Sequence, residues 1–268
     1  MKMFAAVVLA ALIGAAPLWA GSIGDQVEVR IISDTGIELP FYPVPARDPA
    51  KKVYAEAVKG DHYKIVVCNR LNRRVGVVIA VDGRNIVSGR KSWLKSDERM
   101  YILEPYASYE YAGWRTGQDR INRFFFTEAP DSYAAAFGDR SAMGVIAVAV
   151  YPERQRDEWL EESFRQGAPD APSAPSVLRD RGAAAAPGAK AEKADRAAGT
   201  GYGRTEYSPS RIVAFDPEPR AVETLYIKYE WRSTLCRLGI ISRCRTYSQP
   251  FNRLWDNDGY APPPPGRE

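Results

Sequence analysis

The stretch Val75-Gly76-Val77-Val78-Ile79-Ala80-Val81, followed by Asp82-Gly83-Arg84-Asn85, decides the fold. A nearly unbroken apolar run is either a central strand covered on both faces or a buried helix. The short length, the Val and Ile content and the Asp82-Gly83 turn that ends it select the strand. Gly and Asn both tolerate positive φ, so the turn signal is strong, and Ile86–Gly89 reads as a short returning piece.

Downstream, Met100–Leu103, Ser108–Trp114, Ile121–Thr127 and Met143–Tyr151 read as four further strands, each bounded by Gly, Pro, Asp or Ser. Between the last two, Asp131–Phe137 suits one helical turn, with Asp131 and Ser132 as N-caps ahead of three alanines. Upstream, His62–Asn69 places Tyr63, Ile65 and Val67 on one face, and Asn69–Arg74 is a polar break. Val27, Val29 and Ile31 alternate with Glu28 and Arg30, the period of a half-buried strand. Asp34-Thr35-Gly36 turns the chain into an extended run over Ile37–Tyr42. Lys51–Lys59 reads as a loop or one short helix. Many short strands at this spacing predict an all-β fold, an antiparallel, jelly-roll-like β-sandwich over residues 21–152.

At Pro152 the character changes. Trp159, Leu160 and Phe164 recur at helical spacing in the charged segment Glu153–Gln166, which suits a short amphipathic helix. Gly167–Gly203 is dominated by Ala, Pro, Gly, Arg and Lys without a periodic apolar face, the composition of a disordered linker. Arg211–Phe215 and Thr224–Trp231 read as strands. They are too few for a stable domain, so residues 204–232 are expected to rejoin the sandwich and the linker becomes an insertion. The tail, residues 233–268, carries Cys236 and Cys244 and ends in the polyproline piece Pro262–Pro265.

The first twenty residues read as a signal peptide: Lys2, an apolar run over Phe4–Leu18, then small residues around a cut after Ala20. The run is short of the ~20 apolar residues of a membrane span, although an uncleaved anchor is the alternative. The expected address is periplasmic or secreted, with no integral membrane domain after cleavage. Hydrophobic residues at 45% suffice for a core, and the formal charge of +4 is small for the chain length. That balance and the export signal disfavour a nucleic-acid partner. In an oxidising compartment three cysteines leave one thiol over. Cys236 and Cys244, close in sequence, are the natural disulfide pair, and Cys68 in a strand-like run reads as a small buried hydrophobe. A metal site would need more ligands than these, and the single histidine, His62, is far away in sequence, so neither a metal nor another cofactor is expected.

Several motifs occur together: Val81-Asp82-Gly83-Arg84-Asn85-Ile86-Val87-Ser88-Gly89, Gly113-Trp114-Arg115, Phe124-Phe125-Phe126-Thr127, Asp131-Ser132-Tyr133-Ala134-Ala135 and Met143-Gly144-Val145-Ile146-Ala147-Val148-Ala149-Val150. In this order they resemble an uncharacterised family of exported bacterial β-rich proteins, over roughly His62–Tyr151 with weaker echoes at Tyr226–Gly239. The resemblance implies an exported β-rich domain and carries no activity with it.

Chemistry candidates have simpler competitors. A nucleophilic Ser132 needs a base, and nothing in the spacing brings His62 to it, so a helix cap is the simpler reading. Asp97, Glu98, Glu104 and Glu110 could supply paired carboxylates, but no spacing sets their separation. Asp256-Asn257-Asp258-Gly259 resembles the start of a calcium loop without the later ligands, and reads as a turn. The basic cluster is the best binding candidate: Arg70, Arg73 and Arg74, then Arg84, Arg90, Lys91 and Lys95, interleaved with Trp93. Arg and Trp suit anionic or sugar ligands through bidentate hydrogen bonds and ring stacking. Arg73, Arg74, Arg84, Arg90, Trp93, Trp114 and Arg115 are therefore the expected ligand-binding residues. The favoured reading is a non-enzymatic envelope module that binds a protein or anionic glycan. An envelope hydrolase acting on a glycan or ester, and a structural subunit of a surface assembly, are the alternatives.

Overall fold

Strands form where apolar residues alternate, and they become central where both faces find cover. The computed structural model describes residues 21–44, 51–155, 197–242 and 244. The strands are β1 (Ser22–Ile23), β2 (Val27–Ser33), β3 (Phe41–Pro43), β4 (Lys51–Ala57), β5 (His62–Asn69), β6 (Val75–Val81), β7 (Arg84–Asn85) and β8 (Tyr101–Leu103). They continue as β9 (Ser108–Tyr111), β10 (Gly113–Arg115), β11 (Arg120–Glu128), β12 (Val145–Pro152), β13 (Ala198–Thr200), β14 (Thr205–Tyr207) and β15 (Glu223–Trp231). Two short helices, α1 (Tyr133–Ala136) and α2 (Arg232–Arg237), complete the described elements with one 3-10 turn at Ala129–Asp131. None of the described helices is long and apolar enough to cross a membrane.

Two sheets face each other. The first runs β1-β2-β5-β11-β10, with β9 on β5 and β13 and β14 on β11. The second runs β3-β4-β15-β12-β6-β7, with β8 on β6. The fold is the expected all-β sandwich, with one departure from antiparallel pairing among the described strands: β4 and β15 run parallel, Lys51 opposite Leu225 through Ala57 opposite Trp231. Val29, Ile31, Tyr63, Ile65, Phe124 and Phe126 of the first sheet meet Val77, Ile79, Val148, Leu225, Ile227 and Tyr229 of the second. Their neighbours in sequence point outward, as a period of two requires.

All seven residues of β6 are buried, and the two faces have different cover. Val75, Val77, Ile79 and Val81 join the core between the sheets. On the outer face Val78 lies under Leu94, Met100 and Ala221, and a Cβ on Gly76 would collide with Met100 and Phe215. Loops therefore cover the outside of this strand, which is why its apolar run shows no alternation.

Some local readings change. Lys51–Lys59 is neither loop nor helix, because Lys51–Ala57 is strand β4, held between β3 and β15. The expected Ser108–Trp114 strand breaks at Ala112, where the chain changes partner from β5 to β11. Arg211–Phe215 forms no strand, and the short strand near it is β14. The end of the expected linker is not linker: Ala198–Thr200 is a fully buried strand on β11, and Gly201 is buried beside it. Small residues are needed there, since a Cβ on Gly199 would stand 2.8 Å from Ser132 Cβ. β15 does return to the sandwich, and to the middle of a sheet rather than its edge. Its Glu223 carboxylate accepts the backbone amides of Asp25, Gln26 and Val27 at 2.8, 2.9 and 3.1 Å, tying the start of β2 to β15.

Cys236 and Cys244 stand at disulfide distance, with Cα atoms 5.5 Å apart. Cys68 is unpaired but only half-buried, on the face of β5 opposite Tyr63, Ile65 and Val67. The segments expected to form the signal peptide, most of the amphipathic helix, the body of the linker, the Asp256–Gly259 turn and the polyproline tail lie outside the described residues.

Candidate ligand surface on the Trp93 loop

The β6–β7 hairpin turns through Asp82 and Gly83, whose φ angles of 50° and 79° are both left-handed, with Val81 paired to Arg84. A two-residue turn with both central residues at positive φ matches the twist of the flanking strands. The chain then leaves the sheet for a long loop whose backbone is fixed by two side chains. Asn85 accepts the amides of Val87 and Ser88 at 2.9 and 3.1 Å and donates to the Arg99 carbonyl at 2.7 Å. Glu98 accepts the amides of Trp93 and Lys95 at 2.7 and 3.1 Å and the Ser92 hydroxyl at 2.7 Å. Burial alone would raise the Glu98 carboxyl, but the Ser92 hydroxyl and the two amides outweigh it and hold it below its ordinary value.

Leu94 is the hinge of this loop. Its φ of 57° is rare for a residue with a branched side chain, and such strain costs about 1–3 kcal/mol. The twist turns Leu94 inward onto Val78 and Met100, while the Tyr151 hydroxyl donates to the Leu94 carbonyl. Trp93, its neighbour, is thereby turned outward and is 69% exposed. Lys91 Nζ lies 5.2 Å from its ring. Arg90, Lys95 and Arg99 are exposed on the same loop, and no carboxylate lies within ion-pair distance of them among the described residues.

The expected binding residues do not form one site. Arg73 and Arg74 precede β6 and Arg84 follows it, so a seven-residue strand, ~20 Å long, separates them. Arg73 is neutralised by Glu218 at 3.0 Å, and Arg74 by Glu153 at 2.8 Å and Glu104 at 3.5 Å. Trp114 is 2% exposed, its Nε1 donating to the Gly201 carbonyl at 3.0 Å, so it is a core ring rather than a stacking platform. Arg115 is consumed by the Tyr101 hydroxyl at 3.0 Å and by the Ser208 hydroxyl at 3.1 Å. The surface that remains has Arg84, Arg90 and Trp93 from the expected set, joined by Lys91, Lys95 and Arg99. Phe137 and Tyr202 flank it and escaped the sequence reading. Tyr202 sits inside the Gly- and Ala-rich stretch taken for linker, and its two glycine neighbours, Gly201 and Gly203, were the available signal of close packing against Phe125 and Arg123.

The hydrolase candidates have structural posts. The Ser132 hydroxyl caps α1, accepting the Ala135 amide at 3.2 Å and donating to the Ala129 carbonyl at 2.7 Å. His62 packs against the Phe125 ring, centroids 5.7 Å apart. Glu104 and Glu110 pair with Arg74 and Lys64, at 3.5 and 2.7 Å. Among the described residues no three His, Cys, Asp or Glu side chains converge as a metal site would need.

The most perturbed carboxylate is Asp82, enclosed between the sheets. It accepts the Gly144 amide at 2.8 Å, the Thr200 amide at 2.7 Å and the Tyr229 hydroxyl at 2.5 Å. Thr200 Oγ1 continues the network to the hydroxyls of Tyr229 and Tyr63, at 2.7 and 2.8 Å. Burial pushes the Asp82 carboxyl up to about 6, against the pull of Tyr229, the two amides and Lys228. Fully buried, this group ties β13 of the first sheet to β6 and β15 of the second. No family model, curated protein or solved structure matches the chain.

Proposed function

We propose that this protein is a non-enzymatic, exported binding module whose Trp93 loop engages an anionic glycan of the bacterial envelope. One observation carries the reading: a loop whose backbone is fixed by Asn85 and Glu98 exposes Trp93 together with Arg90, Lys95 and Arg99, which have no carboxylate within ion-pair distance among the described residues. Rigid exposure of a large ring forfeits burial that folding would otherwise gain, and pre-organisation of this kind lowers the cost of binding. A flat ring can stack on the apolar face of a sugar, and the cations complement its carboxylate or sulfate groups. Export is supported by the apolar run Phe4–Leu18 and by the cysteine pair at disulfide distance.

The test is titration of the full chain with heparin and with neutral dextran at rising salt. Heparin is expected to bind with an affinity that falls as salt rises, and dextran to bind weakly. Trp93→Ala, and separately the triple change of Arg90, Lys95 and Arg99 to Ser, should each weaken heparin binding about tenfold or more. Stability should stay within about 0.5 kcal/mol, because these side chains are exposed. Heparin affinity unchanged in both variants defeats the assignment of the site, and equal, salt-independent binding of dextran defeats the anionic specificity.

A further inference from the structure

The exposed aromatic surface does not end at Trp93. Lys91 Nζ, beside the Trp93 ring, also lies 3.7 Å from the Asp139 carboxylate on the loop after α1. Two residues before Asp139, the Phe137 ring carries the Arg84 guanidinium on its face, 4.1 Å from the centroid. Phe137 meets Tyr133 edge-on at 5.0 Å, and Tyr133 stacks on Tyr202 at 5.3 Å with an interplanar angle of 14°. Phe137 is 58% exposed and Tyr202 47%. Single exposed rings need no explanation, but here Phe137, Tyr133 and Tyr202 form a connected row from two distant segments, and the Lys91–Asp139 pair ties the Trp93 loop to its end.

The row is anchored from beneath. Tyr133 lies 4.4 Å from the buried Trp114 ring, whose Nε1 is bonded to the carbonyl of Gly201, the residue before Tyr202. Arg84 is fixed as well, donating to the Gly89 carbonyl at 2.7 Å. There is no room for a side chain at Gly89, where a Cβ would stand 2.8 Å from the Tyr133 hydroxyl. Rings and cations are thus held in order before any ligand arrives.

We infer that the Trp93 surface is one end of a track, and that its ligand is an anionic glycan chain lying from Trp93 over Lys91 and Arg84 to Phe137 and Tyr202. This inference rests on the Trp93-loop reading and deepens it. Two cations lying between aromatic ends suit a chain that carries both apolar sugar faces and acidic groups. The Asp139 carboxylate accepts the Ser141 hydroxyl and amide, is 10% exposed, and partly neutralises Lys91, so Arg84 carries more of the charge at this part of the row. A compact anion or a single sugar would use only part of the row. When several weak contacts are linked in one ligand, affinity grows with the number engaged.

The experiment is calorimetric titration of the full chain with heparin-derived disaccharide, tetrasaccharide, hexasaccharide and octasaccharide. Affinity should rise at least tenfold from disaccharide to octasaccharide. Phe137→Ala and Tyr202→Ala should each weaken the octasaccharide about three- to tenfold, the range for one ring contact, and leave the disaccharide unchanged. Trp93→Ala should weaken both. Phe137→Leu, which keeps apolar bulk and removes the ring, should behave as Phe137→Ala if the ring face is what binds, even should the alanine variant fold poorly. A Trp93-dependent affinity that is the same for every length overturns the track and leaves the Trp93 site standing. Octasaccharide binding that ignores Trp93 overturns both. Single-stranded DNA that binds as tightly, with the same dependence on Phe137 and Tyr202, reassigns the track to nucleic acid and overturns the glycan.

Discussion

Asp82 occupies the first position of a tight hairpin turn and the centre of a buried polar network, and the two roles differ in how visible they are in sequence. The turn is legible because Asp-Gly is one of few pairs that accept two left-handed residues in succession. The network is not, because its partners Thr200 and Tyr229 lie 118 and 147 residues away. The carboxyl titrates at about 6 in the fold against 3.8 in the free side chain. Between those values the folded chain keeps a proton that the unfolded chain has lost. The stability this group confers is therefore full below about pH 4, declines as pH rises through about 6, and is level above. Asp82→Asn should remove that decline, so the difference between wild type and variant in urea unfolding should change by about 2–3 kcal/mol across this window. Parallel pH profiles for the two proteins would show that Asp82 is not the group responsible.

Elements were readable where one period or one breaker governs them and unreadable where a distant partner does. The β6 run and its turn are local signals, and so is the Ser132 cap of α1. β4 carries Lys, Ala and Glu, residues suited to a helix, and becomes a strand because β15 pairs beside it. β13 is three residues of Ala, Gly and Thr in a stretch that resembles linker by composition, and only its place against β11 makes it structural. The same reason hid most of the candidate surface: Phe137 comes to Arg84, and Tyr202 to Tyr133, through tertiary contacts alone. If β13 is a clasp, Thr200→Val should destabilise the protein by about 1–3 kcal/mol. The change keeps the shape and leaves the Tyr63 and Tyr229 hydroxyls without their shared partner. A loss below about 0.5 kcal/mol in denaturant titration would mean that the hydroxyl is dispensable.

At the scale of the molecule, both sheets draw strands from before residue 156 and from after residue 196, so the described strands form one unit. Cutting the chain at a specific protease site introduced within residues 156–196 should leave fragments that elute together and unfold in one transition. They should part in denaturant without reductant, because the Cys236–Cys244 pair lies wholly in the later fragment and Cys68 is unpaired. Fragments that separate under native conditions would argue for two independent domains. The central position of β15 also bears on how the chain is made. While synthesis has not reached Glu223, the second sheet has no middle: β4 and β12 each present an open edge of unpaired backbone groups to their surroundings. Closure must wait for one of the last described strands, which makes the nascent chain vulnerable to pairing with its neighbours, and folding a late event rather than one that advances as the polypeptide emerges.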